Sequence, residues 1–413
     1  MGVVDPACWT PYRGQPKVDG ATDPAAHRAA ATPGGTVPTS RTTCLVAPDK
    51  FKGSLDATGV AQALRAGLQD VRPELDVGCR PMADGGDGTL AVLTAAGFER
   101  IPVTVDGPTG CTVQTSYAAR DTTAVVELAN TCGLSRLPDN VPAPLDASSY
   151  GLGQVVAAAV RNGCRELVIG LGGSASTDGG AGLLQALGAR LLDGDQREVR
   201  RGGRWLADVS SVDLDPAREL LQGVSVTVAA DVDNPLLGAR GAAATYGPQK
   251  GADPAQVHHL EHALTRWATV VEQSTGTRLA SSPSAGAAGG VGFAALALGA
   301  SVRSGIELLL ELTDFAPALA TARLVITGEG QLDRQSLAGK APVGVAAAAR
   351  SAGVPVVAVA GQSTLDAAEL AAAGFAGVYL LTSVEPDVHR CQSNAAELLT
   401  EIGRRIARDH LTG

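Results

Sequence analysis

At 413 residues, the chain is too long for one ordinary compact core, so we expect two domains. It contains 51 glycines and only 3% aromatic residues, which favours an alanine- and leucine-packed α/β protein with many tight loops. The formal net charge of −9, with no basic run to offset it, argues against a nucleic-acid binder. The seven cysteines are scattered, no apolar run reaches the ~20 residues of a membrane span, and no secretory signal is evident, so we predict a cytoplasmic protein without membrane partners.

Residues 1–40 are rich in proline, glycine, alanine and threonine and lack apolar periodicity. Such a segment buries too little apolar surface to offset the entropy of ordering it, so we expect a disordered extension. A buried strand is expected at 43–47, and a helix over 55–71, where apolar residues share one face. A second strand near 75–82 and a helix ending at Ala96 repeat the pattern, which is typical of a parallel sheet with right-handed crossovers.

The loops after these two strands carry charged side chains. The first contains Asp49, Lys50, Lys52 and Ser54. Lysine ammonium groups suit a phosphate or a carboxylate, and the serine can cap the helix while donating to an anion, although a solvated loop with an ordinary cap would look the same. The second loop, 84–88 (DGGDG), places two acids in a glycine turn before a helix. It predicts a Mg²⁺ or phosphate site, because Mg²⁺ usually takes one or two carboxylates and keeps water or substrate oxygens.

The middle of the chain has a different pattern of apolar and polar residues. Residues 100–128 alternate apolar and polar positions between turn signals, which predicts antiparallel strands. After a strand at 166–170, the stretch 170–180 combines glycines, hydroxyls and Asp178 ahead of a helix. Since the N–H groups at a helix N-terminus attract anions, this stretch predicts phosphate binding.

Acids also follow the next strand, over 224–231. Asp231 ends it, and Asp233 and Asn234 come before a proline. An acid there could accept a proton from a hydroxyl or bind a metal, but an Asx turn would explain the same residues. Farther along, Lys250 offers another cation for an anionic ligand.

The C-terminal part contains two further glycine loops. The dense run 286–292 begins a helix and suits close approach of backbone to a nucleotide, although helix–strand packing would also explain it. A short apolar strand then ends in the turn 327–333, followed by a helical stretch that carries Lys340. Ligands bind where loops leave the carboxyl ends of parallel strands, and Glu329 and Asp333 could hold a cation or orient a hydroxyl there.

These loops supply glycines, acids and lysines but no nucleophile–base pair. Phosphoryl transfer needs little else, since positioning, Mg²⁺ and charge neutralisation do most of its chemistry. The known nucleotide signatures are absent, because the only Gly-Lys pair, Gly339-Lys340, has no P-loop around it and the protein-kinase motifs are missing.

Several stretches, in order, carry a family resemblance. They are residues 47–54 (APDKFKGS), 82–89 (MADGGDGT), 172–180 (GGSASTDGG), 231–236 (DVDNPL), 247–252 (GPQKGA), 286–290 (GAAGG) and 327–333 (TGEGQLD). Together they resemble the bacterial glycerate kinase type 1 family. The resemblance implies ATP-dependent phosphorylation of D-glycerate, to 2-phosphoglycerate or 3-phosphoglycerate, in glycerate, glyoxylate or sugar-acid catabolism. The family often has Ser where Lys50 stands and Glu where Asp87 stands.

We therefore predict an α/β fold with two domains, and the resemblance implies that the active site lies in the cleft between them. The change in the pattern of apolar and polar residues along the chain predicts a parallel-sheet domain in two pieces, 41–97 and 285–413. A mixed α/β domain is inserted between them at 98–284. The sequence leaves open whether the protein is a monomer or a homodimer.

Residue chemistry, and not the resemblance, assigns the individual roles. The candidate catalytic residues are Asp178, Asp231, Lys52 and Lys250. The candidate substrate-binding residues are Asp49, Lys50, Ser54, Ser174, Asp233 and Asn234. The candidate ATP-binding residues are Gly85, Gly86, Gly289, Gly290, Gly328, Glu329, Gly330 and Asp333. The candidate Mg²⁺ ligands are Asp84 and Asp87.

Three other functions share part of this pattern. A kinase for another small hydroxy acid would have the same motifs. A sugar-acid-binding regulator would bind without turnover. An NAD-dependent oxidoreductase could use the turn 86–91 but needs an acid about 20 residues on, and Asp106, which has that spacing, falls in the region of predicted antiparallel strands.

Overall fold

The computed structural model describes residues 44–411, so the expected extension over 1–40 lies outside the described residues. The strands in chain order are β1 (Cys44–Pro48), β2 (Val77–Cys79), β3 (Glu99–Asp106), β4 (Thr112–Arg120), β5 (Thr123–Glu127), β6 (Glu166–Gly170), β7 (Arg190–Leu192), β8 (Ser211–Asp213), β9 (Ser225–Ala229), β10 (Ser301–Arg303), β11 (Leu324–Leu332), β12 (Val356–Ser363) and β13 (Gly377–Leu380). The helices are α1 (Ala57–Val71), α2 (Thr89–Ala95), α3 (Ala129–Cys132), α4 (Tyr150–Arg161), α5 (Ala181–Ala186), α6 (Asp215–Leu220), α7 (Ala242–Tyr246), α8 (Pro254–Thr275), α9 (Ala287–Ala297), α10 (Gly305–Leu312), α11 (Phe315–Leu319), α12 (Ala341–Ser351), α13 (Ala367–Ala372), α14 (Val388–Ser393) and α15 (Ala395–His410). Among these helices, none has both the length and the apolarity needed to cross a bilayer.

A five-stranded parallel sheet joins the two ends of the described chain, in the order β13-β12-β11-β1-β2. Its central strands are almost continuous apolar runs, because helices cover both faces of the sheet. Residues of α1 and α15 form the core on one face, and residues of α12 pack on the other. This arrangement agrees with the predicted parallel sheet built from N- and C-terminal pieces.

A six-stranded sheet occupies the middle of the chain, in the order β10-β9-β6-β5-β4-β3. The predicted antiparallel strands over 100–128 are β3, β4 and β5, and β5 then pairs in parallel with β6. Residues of α4, α8 and α9 pack on one face of this sheet, and residues of α2 and α10 pack on the other.

This packing differs from the predicted domain boundaries. The sequence assigned α2, α9, β10 and α10 to the domain formed by 41–97 and 285–413, whereas their apolar residues pack against the six-stranded sheet, and β10 pairs with β9. Periodicity shows which helix face is buried but not which sheet buries it, so the sequence could not set these limits.

The strand β11 is longer than the sequence indicated. The apolar run was expected to end in a turn at 327–333, but β11 extends to Leu332 because Gly328 and Glu329 pair with Val359 and Ala360 of β12. Gly328 is required at its position, since a Cβ there would lie 2.1 Å from the carbonyl oxygen of Val359.

Glycines bring the carboxyl ends of the two sheets into direct contact. A Cβ on Gly170, at the end of β6, would lie 2.1 Å from the carbonyl oxygen of Gly85, in the loop after β2. A Cβ on Gly172 would lie 2.8 Å from the Cα of Gly86, and one on Gly305 would lie 2.0 Å from the carbonyl oxygen of Asp84. The loop after β2 is therefore held between β6 and the start of α10, with no room for a side chain at any of these contacts.

We predict that Gly170→Ala lowers the free energy of unfolding by about 1–3 kcal/mol, because the added methyl forces two backbones apart. Urea denaturation would measure it. The matched control is Gly194→Ala. The nearest heavy atom to a Cβ there is Ser210 Oγ at 3.8 Å, so this change should leave the free energy of unfolding unaltered. Equal stability of the two variants would contradict the prediction.

Candidate active site

Two cavities adjoin where the carboxyl ends of the two sheets meet. The large cavity has a volume of about 610 Å³ and the small cavity about 230 Å³. Both are lined by Asp84, Gly86, Gly172 and Gly173, so these residues form the junction between them. The predicted residues that line the large cavity are Asp49, Lys50, Lys52, Ser54, Asp84, Gly86, Asp87, Glu329, Gly330 and Asp333. Those that line the small cavity are Asp84, Gly86, Ser174, Asp231 and Lys250.

Acids from three adjacent strands lie in the large cavity. Asp49 follows β1, Glu329 lies on β11 and Asp84 follows β2, and these strands are neighbours in the sheet. Burial, and next the charge of Asp84, raises the pKa of Asp49 to about 7. Burial also raises the pKa of Glu329, whose Oε1 atom is buried without a hydrogen-bond partner. An unpartnered buried carboxylate oxygen beside two more acids is an arrangement that a cation would stabilise.

The acids do not form a complete metal site by themselves. Within residues 44–411, no group of three or more histidine, cysteine, aspartate or glutamate side chains is arranged to hold a metal ion. Mg²⁺ usually binds one or two carboxylates and completes its octahedron with water and phosphate oxygens. Asp84 and Asp87 both line the large cavity, so the residues present fit such an ion.

Lysines line the same cavity and balance the acids. The Nζ of Lys50 donates a hydrogen bond to the carbonyl oxygen of Asp87 and lies 3.5 Å from its Oδ2. Lys340 Nζ lies 3.5 Å from Glu329 Oε2, and Lys52 is exposed at the wall. Lys50 and Asp87 thus contact each other. Several flexible ammonium groups around acids have the charge pattern that suits a polyanion carrying a metal ion.

The small cavity combines a cation, a hydroxyl and an acid. Lys250 is only 2% exposed, and its Nζ donates to the carbonyl oxygen of Ser176 at 2.5 Å. Burial lowers the pKa of Lys250 to about 7, and the charge of Asp178 opposes this. Asp231 accepts a hydrogen bond from the N–H of Gly305 at 3.1 Å, and burial raises its pKa. With the Ser174 hydroxyl, these groups suit a small molecule that carries a carboxylate and a hydroxyl.

Asp178 is in neither cavity. It is fully buried, and its Oδ2 accepts hydrogen bonds from Ser149 N at 2.7 Å and Ser149 Oγ at 2.9 Å. The N–H groups of Gly180 and Gly182 also donate to its carboxylate, both at 3.2 Å. A carboxylate so fully bonded is a structural anchor for the start of α5. Its predicted role in orienting or deprotonating the acceptor does not fit this position.

Four of the predicted nucleotide-binding glycines contact protein backbone or side chains. A Cβ on Gly289 would lie 2.0 Å from the carbonyl oxygen of Ser176, and one on Gly290 would lie 2.6 Å from the Cα of Gly179. Gly85 packs against the methyl group of Ala229. As described above, Gly328 faces Val359. The glycines at these positions allow elements to pack closely, and none of the four lines either cavity.

Three predicted substrate-binding residues have protein partners. Asp233 forms an exposed ion pair of 2.7 Å with Arg240, and Asn234 accepts a hydrogen bond from the Tyr246 hydroxyl at 2.6 Å. Neither lines a cavity. Ser54 lines the large cavity, but its hydroxyl donates to a backbone carbonyl, that of Gln392. Asp56, not Ser54, caps α1, by accepting from the N–H of Gly59.

Two features at or beside the cavities were not predicted from the sequence. Glu127, at the end of β5, is 1% exposed and accepts a hydrogen bond from Thr89 N at 2.8 Å, which fastens the end of the 84–88 loop. Burial raises its pKa to about 7. An acid at the end of an apolar strand is the same signal that identified Asp231. The second feature, a wall of the large cavity formed by 381–392, contains no glycine–acid motif that could have revealed it.

The sequence profile of the Glycerate kinase family matches residues 44–411, which is all of the described chain. The chain belongs to the glycerate kinase family. This confirms the family predicted from the motifs, and with it the class of enzyme, a kinase.

Curated members of the family match over most of their lengths. The chain is 43% identical to the glycerate kinase of Halalkalibacterium halodurans over 324 residues, which is 78% of this chain and 85% of the relative. It is 39% identical to the glycerate kinase of Bacillus subtilis, covering 88% of this chain and 96% of the relative. It is also 39% identical to the glycerate 2-kinase of Escherichia coli, covering 82% and 91%.

A solved structure confirms the predicted α/β fold class. It is described as a candidate glycerate kinase 2 from Salmonella typhimurium LT2. It superposes with a TM-score of 0.77 at 37% identity, covering 89% of this chain and 97% of that chain.

We predict that Asp178→Ala lowers the free energy of unfolding by about 3 kcal/mol or more, because it leaves several buried donors without an acceptor. Chemical denaturation would measure the loss, with Asp208→Ala, at an exposed position, as the control. If Asp178 served chemistry alone, the variant would be as stable as the control and would lose only activity.

Proposed function

We propose that this protein transfers the terminal phosphoryl group of ATP to D-glycerate, with Mg²⁺, and forms 2-phosphoglycerate. The observation that carries the proposal is the pair of adjoining cavities, one rich in acids and lysines and one suited to a small hydroxy acid. Membership of the glycerate kinase family supports the substrate, and the printed name of the Escherichia coli relative, glycerate 2-kinase, supports the 2-position.

In this proposal, D-glycerate occupies the small cavity and ATP the large one. The ammonium group of Lys250 binds the substrate carboxylate, and Ser174 donates a hydrogen bond beside it. A volume of about 230 Å³ suits a three-carbon acid, whereas a nucleotide needs the larger space. Asp49 and Lys50, which the sequence suggested for the substrate, then serve the nucleotide.

The junction between the cavities is where the phosphoryl group passes. Asp231 accepts the proton of the attacking hydroxyl, and its raised pKa suits that task because a stronger base takes the proton more readily. Lys52 and Lys340 neutralise charge on the phosphate oxygens as the transition state develops. Gly172 and Gly173 have no side chains to obstruct the passage between the two ligands.

The proposed Mg²⁺ ligands are Asp84 and Asp87, and Asp49 and Glu329 line the same cavity. The negative charge of these acids and the unpartnered Oε1 of Glu329 support a cation among them in the large cavity. When bound, Mg²⁺ would neutralise phosphate charge and orient the chain of phosphates. The lysines nearby hold the same phosphates from the other side.

A coupled ADP-release assay with MgATP and D-glycerate, L-glycerate or tartronate tests the function directly, with the product identified by NMR. We expect turnover on D-glycerate, its loss when Mg²⁺ is chelated, and phosphate on C2 of the product. Absence of turnover on D-glycerate by protein that binds ATP would overturn the proposed substrate.

We predict that Asp231→Asn lowers kcat for D-glycerate by about 100-fold or more, because an amide cannot accept the hydroxyl proton. Asp233→Asn is the matched control, since Asp233 is exposed and lines neither cavity. Steady-state kinetics under the assay conditions above would compare them. Similar kcat values for the two variants would rule out Asp231 as the base.

Lys250 should give the reaction a pH dependence. Its pKa of about 7 means that the ammonium form is present below this pH and is lost above it, so carboxylate binding should weaken as the pH rises. We therefore expect kcat/KM for D-glycerate to fall between about pH 6 and pH 9. The Lys250→Arg variant should retain some activity. Its kcat/KM for D-glycerate should not fall over this pH range, because arginine stays charged. The same fall in both proteins would assign it to another group.

A further inference from the structure

The strand order gives the large cavity two chemically different ends. Neighbouring strands lie about 4.8 Å apart, so the path from β2 across β1 and β11 to β12 spans roughly 14 Å of the cavity. Acids and lysines occupy the β2, β1 and β11 positions. The other end is formed by Gln362 on β12, Leu381 just after β13, and Val388, Cys391 and Gln392 on α14.

The apolar surface at this second end is mainly that of Val388, because Leu381 and Cys391 are almost fully buried. Val388 is 39% exposed, one of only three large apolar side chains exposed in the described part of the chain. Such a side chain in a cavity wall loses contact with water when a ligand covers it. Gln362 and Gln392 line the same cavity, and a side-chain amide can both donate and accept hydrogen bonds. The Gln362 amide donates to Oε1 of Gln331, another lining residue, at 3.3 Å.

One loop spans the two ends and fixes their separation. Lys50 at its start bonds to the carbonyl oxygen of Asp87, beside the junction with the small cavity. Ser54 near its end donates to the carbonyl oxygen of Gln392 at 2.7 Å. Cys391 Sγ also donates to the carbonyl oxygen of Glu385, at 3.0 Å, which holds α14 to the segment before it.

We propose that the apolar end of the large cavity binds the nucleobase of ATP, with the face of the purine against Val388 and its polar edge toward Gln362 and Gln392. The proposal rests on the proposed function, because it takes the terminal phosphate to lie at the junction with the small cavity. A nucleotide that extends from this junction along the cavity reaches α14 with its base. A purine has apolar faces and a polar rim, which matches an apolar wall with amides beside it.

The test is Val388→Asp, which places a charge against the base while phosphate contacts stay intact. Since Val388 is the first residue of α14, an aspartate there is compatible with the helix N-terminus. We expect KM for ATP to rise about tenfold and KM for D-glycerate to stay at the wild-type value. The matched control is Val141→Asp, because Val141 is 62% exposed and lines neither cavity.

A ligand without a base separates this proposal from the proposed function. Inorganic tripolyphosphate, with Mg²⁺, should bind Val388→Asp as tightly as it binds the wild type, whereas ADP should bind about tenfold more weakly. Calorimetry measures both without needing turnover, so it applies even if D-glycerate is not the acceptor. Unchanged ADP affinity in the variant would place the base elsewhere. Equal weakening of ADP and tripolyphosphate would show that the change disturbs the phosphate site and would also overturn the proposal.

Val388→Thr guards against a folding defect, because threonine keeps the shape of valine and replaces a methyl with a hydroxyl. We expect a smaller increase in KM for ATP, about two- to fivefold, in the same direction. A tenfold effect of Val388→Asp with no effect of Val388→Thr would indicate that charge repulsion of the phosphates, and not base contact, is the cause.

Discussion

The close contact between backbone atoms at Gly170 and Gly85 is the constraint on which the site depends. It brings the carboxyl end of β6, in one sheet, against the loop after β2, which leaves the other sheet. A side chain at Gly170 would push the two sheet ends apart at this contact and disturb the junction that Asp84 and Gly86 form between the cavities. Phosphoryl transfer requires donor and acceptor within a few ångströms, so this contact sets the geometry that the proposed reaction needs.

In both cavities, buried ionisable groups lack full compensation of their charge. The groups are acids in the large cavity and a lysine in the small cavity. In the large cavity burial raises the pKa of Asp49 and Glu329, because carboxylates there lack water. In the small cavity it lowers the pKa of Lys250 for the same reason. A metal–phosphate complex would satisfy the first set of groups and a carboxylate would satisfy the second. The fold thus holds charged groups ready for ligands at a cost in its own stability.

Much of this site could be predicted from the sequence, for a physical reason. Carboxyl ends of parallel strands meet at one edge of a sheet, so Asp49 and Asp84 could be assigned to a common region from strand patterns alone. Asp231 follows β9 of the other sheet, and strand patterns do not show that the two sheet ends meet. Whether a glycine faces a ligand or another backbone depends on a distant partner, as Gly289 and Ser176 illustrate. Local sequence does not contain that information. For the same reason, the burial of Asp178, which accepts hydrogen bonds from Ser149, was not predicted. The wall of the large cavity formed by α14 was not predicted either.

A crystal structure of the protein with D-glycerate, Mg²⁺ and a non-hydrolysable ATP analogue would show which cavity holds which ligand. We expect D-glycerate in the small cavity, with its carboxylate at Lys250 and a hydroxyl toward Asp231. We expect the nucleotide in the large cavity, with its terminal phosphate beside Asp84. D-Glycerate among Lys50 and Lys52 in the large cavity, or the nucleotide in the small one, would overturn the proposed assignment of the two cavities.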